Sequence, residues 1–294
     1  MTTFSAFFFL VAVEWRKLSG RTLLWGEVAL LGLLTFGLYA ALIATLHGGD
    51  TAQMPPEMVS QLRAMLSWPG GLNTALAFAE GGGLGGLFIA ILAGAFSAQE
   101  YTWRTVHLWL TRGVRREFYL LAKFAVLAAA AGLLVFTTVA AGGLVSGLYT
   151  LVSRHALPWG QVAWGVLGWH ILLVAYTLLP YTALAFVLGV FSRSAMIAIG
   201  VTLGYSLLLE GMVLKIAAML SPRAAAVVRY CPAMLSNSVL QTFAGEIQIS
   251  VGASAAPAST HLLSAGPAAG LIALYAAALV ALALWAFRRQ DIAA

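Results

Sequence analysis

Charge is what this sequence has least of. Only 9% of its 294 residues are Asp, Glu, Lys or Arg, and 61% are hydrophobic. Soluble domains carry about a quarter charged residues. No soluble fold covers this much apolar side chain, so lipid must act as the second solvent. Cysteine is nearly absent. Cys231 stands alone, which excludes an internal disulfide and a cysteine-based metal cluster. The phosphate-cradling pattern G-x-x-x-x-G-K-[ST] is missing, and so is H-E-x-x-H. The five histidines (His47, His107, His155, His170, His261) are scattered at spacings that suit no metal site. No repeat at a fixed period is legible. The net charge of +6 then points to loops facing anionic lipid and a protein partner, not to nucleic acid.

What remains is long apolar runs. They lie at 23–46, 75–98, 118–151, 162–191, 196–220 and 266–287, each near or above the ~20 residues that cross a bilayer. The expected fold is an all-α integral membrane protein, one domain of six transmembrane helices. The third run is long enough to project beyond the bilayer or to tilt. Pro180 predicts a kink in the fourth. The stretch 47–74, with Pro55-Pro56 and Pro69-Gly70, reads as a loop. Within 221–265, the part Ala224–Phe243 is expected to form short helices dipping into the outer interface. At the N-terminus, Phe4–Val13 is too short to span. The charges of Glu14, Arg16, Lys17 and Arg21 follow it instead of preceding it, unlike a signal peptide. This suits an interfacial helix on the inner leaflet, kept in the mature chain.

Lysine and arginine set the orientation. One side holds Arg16, Lys17, Arg21, Arg104, Arg112, Arg115, Arg116, Lys123, Arg193, Arg288 and Arg289. The other holds only Arg63, Arg154, Lys215, Arg223 and Arg229. By the positive-inside rule the richer side, with both termini, is cytoplasmic, in the cell (inner) membrane. Eight tryptophans (Trp15, Trp25, Trp68, Trp103, Trp109, Trp159, Trp164, Trp285) fall near span ends, as an aromatic belt does.

Two stretches invite a functional reading. Gly81-Gly82-Gly83-Leu84-Gly85-Gly86 satisfies G-x-G-x-x-G but lies in an apolar span with no preceding strand, so close helix packing accounts for it better. The connection 99–116 is the densest polar stretch. Helical spacing puts Glu100, Arg104, His107 and Thr111 on one face, with Trp103, Val106 and Leu110 beside them and a helix stop at Gly113. Glu100 precedes Arg104 by four residues, the favourable ion-pair order. The plainer reading is a solvated basic loop.

This connection, with Glu100, Tyr101, Thr105, the run Leu110-Thr111-Arg112-Gly113-Val114-Arg115-Arg116, and Lys123, resembles the loop after the second span in type-2 permeases of ATP-binding-cassette (ABC) exporters. The segment Glu14–Arg21 is similar to that family's amphipathic elbow helix, and Phe287–Ile292 to its cytoplasmic tail. The sequence departs from the family at Arg104, where glycine is usual, and at Gly113, where proline is common. The resemblance implies an exporter permease that is no enzyme itself. It would pair with a second permease, identical or homologous, and dock a separate ATPase that holds ATP and Mg. Glu100, Tyr101, Arg104, Thr105, His107, Thr111 and Arg112 would form the coupling helix. The substrate class would be a peptide antibiotic, another hydrophobic drug, a lipid or a glycan.

Ionisable residues inside spans are the other candidates, because a charge there costs roughly 2.5–3.5 kcal/mol on insertion scales. Glu80 and Glu210 are placed in the outer third of the membrane, and Lys215 is a poor partner for Glu210 on the same helix. They read either as an outer gate or substrate pathway, or as structural pairs. Tyr176 and Tyr181, flanking Pro180, read as packing residues. A rival function is a stand-alone proton-coupled carrier working through Glu80 and Glu210. Such carriers show internal repeats and discontinuous spans near the midplane, and the sequence displays neither. An intramembrane enzyme would need a nucleophile–base pair or metal ligands at membrane depth, and none stands out.

Overall fold

Helix formation follows from the solvent: in hydrocarbon a chain must satisfy its own backbone hydrogen bonds. The computed structural model describes residues 3–48, 54–102, 115–243 and 263–289, and among these every regular element is helical. Six stretches are long and apolar enough to cross a membrane: Thr22–His47, Gly70–Gln99, Arg116–Arg154, Trp164–Ser192, Ala195–Leu220 and Ala265–Arg289. The protein is therefore of multi-pass membrane type. Five of the six agree with the expected runs to within three residues at either end.

The second span starts five residues earlier than its hydropathy suggests. Gly70–Thr74 looks polar, yet its polar groups are satisfied inside the protein. Thr74 Oγ donates to the Met65 carbonyl at 3.0 Å, and Tyr39 OH donates to the Gly71 carbonyl. The stretch 47–74 is also not simply a loop, since Pro56–Leu66 is helical. Proline at the first helical position costs nothing there, because that N–H has no partner in any helix.

In chain order the helices are α1 (Thr3–Ser19), α2 (Thr22–His47), α3 (Pro56–Leu66), α4 (Gly70–Ala79), α5 (Leu84–Thr102) and α6 (Arg116–Arg154). There follow α7 (Trp164–Thr177), α8 (Leu179–Ser192), α9 (Ala195–Leu203), a π-helix (Gly204–Val213) and α10 (Leu214–Leu220). After it come α11 (Pro222–Val228), α12 (Pro232–Phe243) and α13 (Ala265–Arg289). The pair α11 and α12 are the short helices expected before the sixth span. At 1.5 Å per residue α6 is about 58 Å long, well beyond the ~30 Å hydrocarbon core.

The centre of the bundle is α8, packed against α5, α9, α13 and α6. Small residues set that contact. A Cβ on Gly189 would lie 1.8 Å from Ser97 Oγ, so only glycine lets α8 approach α5 this closely. Phe96 and Phe186 belong to the same core, both fully buried. The second and fourth spans are 56% and 61% buried, against 17% and 22% for the first and fifth. The first and fifth therefore turn most of their apolar surface outward.

At the end of the bundle that carries the termini, α1 packs on α6. Its buried stripe is Leu10, Glu14 and Leu18, at i, i+4 and i+8. The charged half of α1 is thus only partly a solvent face: Glu14 is 1% exposed and paired with Lys17. Arg21 donates to Gln99 Oε1, and its guanidinium sits 5.0 Å from the Phe96 ring centre. The buried Lys123 ammonium stands over the same ring at 4.7 Å. Arg288 pairs with Glu117 at 2.5 Å, tying the last span to the start of the third.

Candidate functional site

Three spans are interrupted, and the interruptions converge. The second breaks between α4 and α5 at Glu80–Gly83, where the Glu80 carbonyl accepts from the N–H groups of Gly83 (2.9 Å) and Gly86 (3.3 Å). The break needs glycine: a Cβ on Gly85 would fall 1.9 Å from the Ala79 carbonyl oxygen. The glycine run therefore does more than pack a continuous helix. The fourth span breaks at Leu178, between α7 and α8. Pro180, lacking an N–H, forces the kink that the sequence predicts there. The fifth span passes through ten residues of π-helix, a form uncommon in runs this long and frequent at functional sites.

Glu210 lies in that π-helix and is 4% exposed. Its Oε2 accepts from Tyr181 OH at 2.6 Å, and its Oε1 from Tyr205 OH at 2.9 Å. Tyr205 precedes Glu210 by five residues, which the i→i+5 repeat of a π-helix brings one turn apart. In an α-helix that spacing would turn the two side chains well away from each other. The backbone N–H of Ala233, in the first turn of α12, acts on the same carboxylate. This placement suits an anion, because the first N–H groups of a helix are unpaired and the dipole is positive there. One carboxylate thus joins the fourth span, the fifth and the short helix before the sixth. Nearby, burial pushes the Cys231 thiol up, with the Glu210 charge adding to the effect.

The second span reaches the site through Gly81. Its Cβ position lies 2.5 Å from Tyr181 Cε2, so the glycine backbone packs flat on the tyrosine ring. Glu80 is half-buried at the break, and its carboxylate makes no hydrogen bond or ion pair among the described residues. It sits ten residues beyond Gly70, deeper than a single turn into its span. Lys215, in α10, is half-buried and likewise makes no pair with Glu210. Of the three candidates for a gate or pathway, only Glu210 is at the convergence, with Glu80 next to it through Gly81.

Two tyrosines are more than packing residues. Tyr181 is fully buried yet donates to Glu210, and Tyr176 OH donates to the Ala269 carbonyl of α13 at 2.6 Å. Sequence reasoning missed Tyr205 because helical spacing assumes 3.6 residues per turn. It also passed over Glu27 in α2, which is 6% exposed with neither carboxylate oxygen hydrogen-bonded among the described residues. No group of three or more His, Cys, Asp or Glu side chains able to hold a metal occurs among the described residues.

The candidate coupling residues fall at the margin of the described chain. Glu100 is in the last turn of α5, and Tyr101 has the Arg193 guanidinium 5.7 Å from its ring centre. Arg193 adopts a left-handed φ of 54° and caps the end of α8. Arg104, Thr105, His107, Thr111 and Arg112 lie outside the described residues.

No curated protein matches this chain. A family model described as "Protein of unknown function (DUF2705)" matches residues 84–293, which include Tyr181, Tyr205 and Glu210 but not Glu80 or Gly81. That match spans more than half of the sequence, and the chain belongs to this family.

Proposed function

We propose that this chain is the membrane permease subunit of a type-2 ABC exporter. It would move a hydrophobic or amphipathic substrate with ATP hydrolysed by a separate subunit. The observation that supports this best is the polar lattice at the termini end of the bundle. Arg21–Gln99, Arg193–Tyr101 and Arg288–Glu117 brace both stems of the connection 103–114 against the α1–α2 junction, the end of the fourth span and the sixth. Force applied to that connection would pass directly into four spans. The separate N-terminal helix α1, which carries the segment similar to the family's elbow helix, is a further part of the resemblance. In this reading Glu210 ties α12 to the fourth and fifth spans, and its rearrangement opens the pathway on the far side.

The convergence of broken spans on a buried carboxylate favours a second reading, a proton-coupled carrier acting alone. Vesicles carrying the chain with its ATPase decide between them. Transport should need ATP and both subunits. Transport by the chain alone, driven by a pH gradient, would establish the carrier instead.

The orientation is tested separately. With Cys231 replaced, single cysteines at Ser60 and Ser259 should react with an impermeant thiol reagent in intact cells, and one at Gln290 should not. Labelling at 290 would overturn the cytoplasmic placement of the termini.

A further inference from the structure

The end of the bundle remote from the termini carries an open pocket of about 650 Å³. It lies between α3 and the last turn of α6, and its lining includes Arg63, Arg154, Ser60 and Ser67. Neither guanidinium has a hydrogen bond or ion pair among the described residues. Both side chains are exposed, and among the described residues no acidic side chain lines the pocket. Two of the five basic residues that the sequence assigns to this side therefore converge on one concavity. Two guanidiniums on one concavity match the oxygens of a phosphate, which arginine binds through paired N–H groups.

The surroundings say what carries the phosphate. Met54, Pro56 and Val59 form an apolar wall of the same pocket, and Met58 beside them is half exposed. Ser67 leads directly into Trp68, which meets Trp159 edge-on at 5.4 Å. Trp159 in turn stacks on Trp164 at 6.0 Å, and both are more than half exposed. Exposed tryptophans mark the level of the lipid headgroups. Arginines at that level beside an apolar wall fit a phosphate attached to an acyl-bearing glycerol better than a free ion.

We infer that Arg63 and Arg154 form a binding site for the phosphate headgroup of an anionic phospholipid in the leaflet opposite the termini. Only the name of that leaflet rests on the proposed orientation, and the pocket stands without it. Its role would be to hold a lipid against α3 and the end of α6, next to the start of the second span.

The test uses the full chain in detergent, with retained phosphatidylglycerol counted by native mass spectrometry against phosphatidylcholine. Arg63→Ala and Arg154→Ala should each weaken phosphatidylglycerol binding about tenfold, as loss of one charge-assisted hydrogen bond does, and the double variant more. Arg223→Ala removes an exposed charge from the same side outside the pocket and should leave binding unchanged. Helical circular dichroism should stay the same in all variants, since both arginines are exposed. Millimolar inorganic phosphate should fail to displace the lipid. Displacement would assign the site to a free anion and overturn the lipid. Equal losses in the Arg223→Ala control, or none in the double variant, would overturn the site itself.

Discussion

Glu210→Gln should abolish most transport while leaving the protein folded, and Glu210→Ala should lower its stability by about 2 kcal/mol. The second figure follows from what the alanine leaves behind. Tyr181 OH and Tyr205 OH both lose their acceptor. Interhelical hydrogen bonds measured within membranes average ~0.6 and reach ~1.7 kcal/mol, because the unfolded state in lipid also finds partners. Two of them together are worth about 1 kcal/mol at the average and about 3 at the maximum, which places the loss near 2 kcal/mol. Glutamine keeps one oxygen to accept and offers an amide that a rotated tyrosine hydroxyl can accept from, so its cost is smaller still. A tenfold or greater loss of transport per folded molecule in Glu210→Gln therefore reports the charge and not the scaffold. Thermal unfolding in detergent, read beside transport in vesicles, separates the two. Normal transport per molecule with a lowered midpoint would make Glu210 a structural tie and end its role in a pathway.

The six spans are legible in the sequence because their signal is bulk composition. Runs of Leu, Ala, Val and Phe need no knowledge of their neighbours to be recognised as lipid-facing or buried. The breaks are legible only where a residue type forces them. Pro180 announces the kink in the fourth span, since no context restores its missing N–H. The second span hides its break, because glycines serve a tight helix contact and a helix interruption equally well. Only the position of Ala79 and Tyr181 in space tells which. The π-helix is invisible for a different reason. No residue type in Gly204–Val213 marks it in the sequence, and the contacts that go with it, Tyr205 and Tyr181 on Glu210, appear only in space.

The same logic explains the pocket and the buried end of α1. Arg63 and Arg154 are 91 positions apart by their numbering, so only the return of α3 onto α6 joins them. Glu14 reads as part of a charged surface segment, yet i, i+4 spacing with Leu10 and Leu18 carries it inward. Lys17 and Lys123 then show how charge is kept near apolar cover. Their ammonium groups sit over the Tyr119 ring at 5.9 and 5.7 Å, where aromatic faces replace part of the lost water.

The largest effect on function is expected at the connection between the second and third spans. Charge reversal at Arg104, or Glu100→Ala, should release the ATPase from the complex or leave its hydrolysis uncoupled from transport. By the helical spacing read in the sequence, Glu100, Arg104, His107 and Thr111 share one face for a partner groove to read. Truncating a buried charged contact at an interface costs about 2–5 kcal/mol, enough to lower subunit affinity by thirtyfold or more. The stems of the connection are held by residues outside that face: Arg21 on Gln99, Arg193 on Tyr101 and Arg288 on Glu117. The spans should therefore keep their thermal stability in both variants. That separates loss of docking from loss of fold. If Glu100 and Arg104 act as one i, i+4 unit, the double variant should be no worse than the more damaging single change. Co-purification of the ATPase and transport-linked hydrolysis are the two readouts. Wild-type values for both in both single variants would reduce the connection to a basic surface loop, and the exporter reading would lose its coupling element.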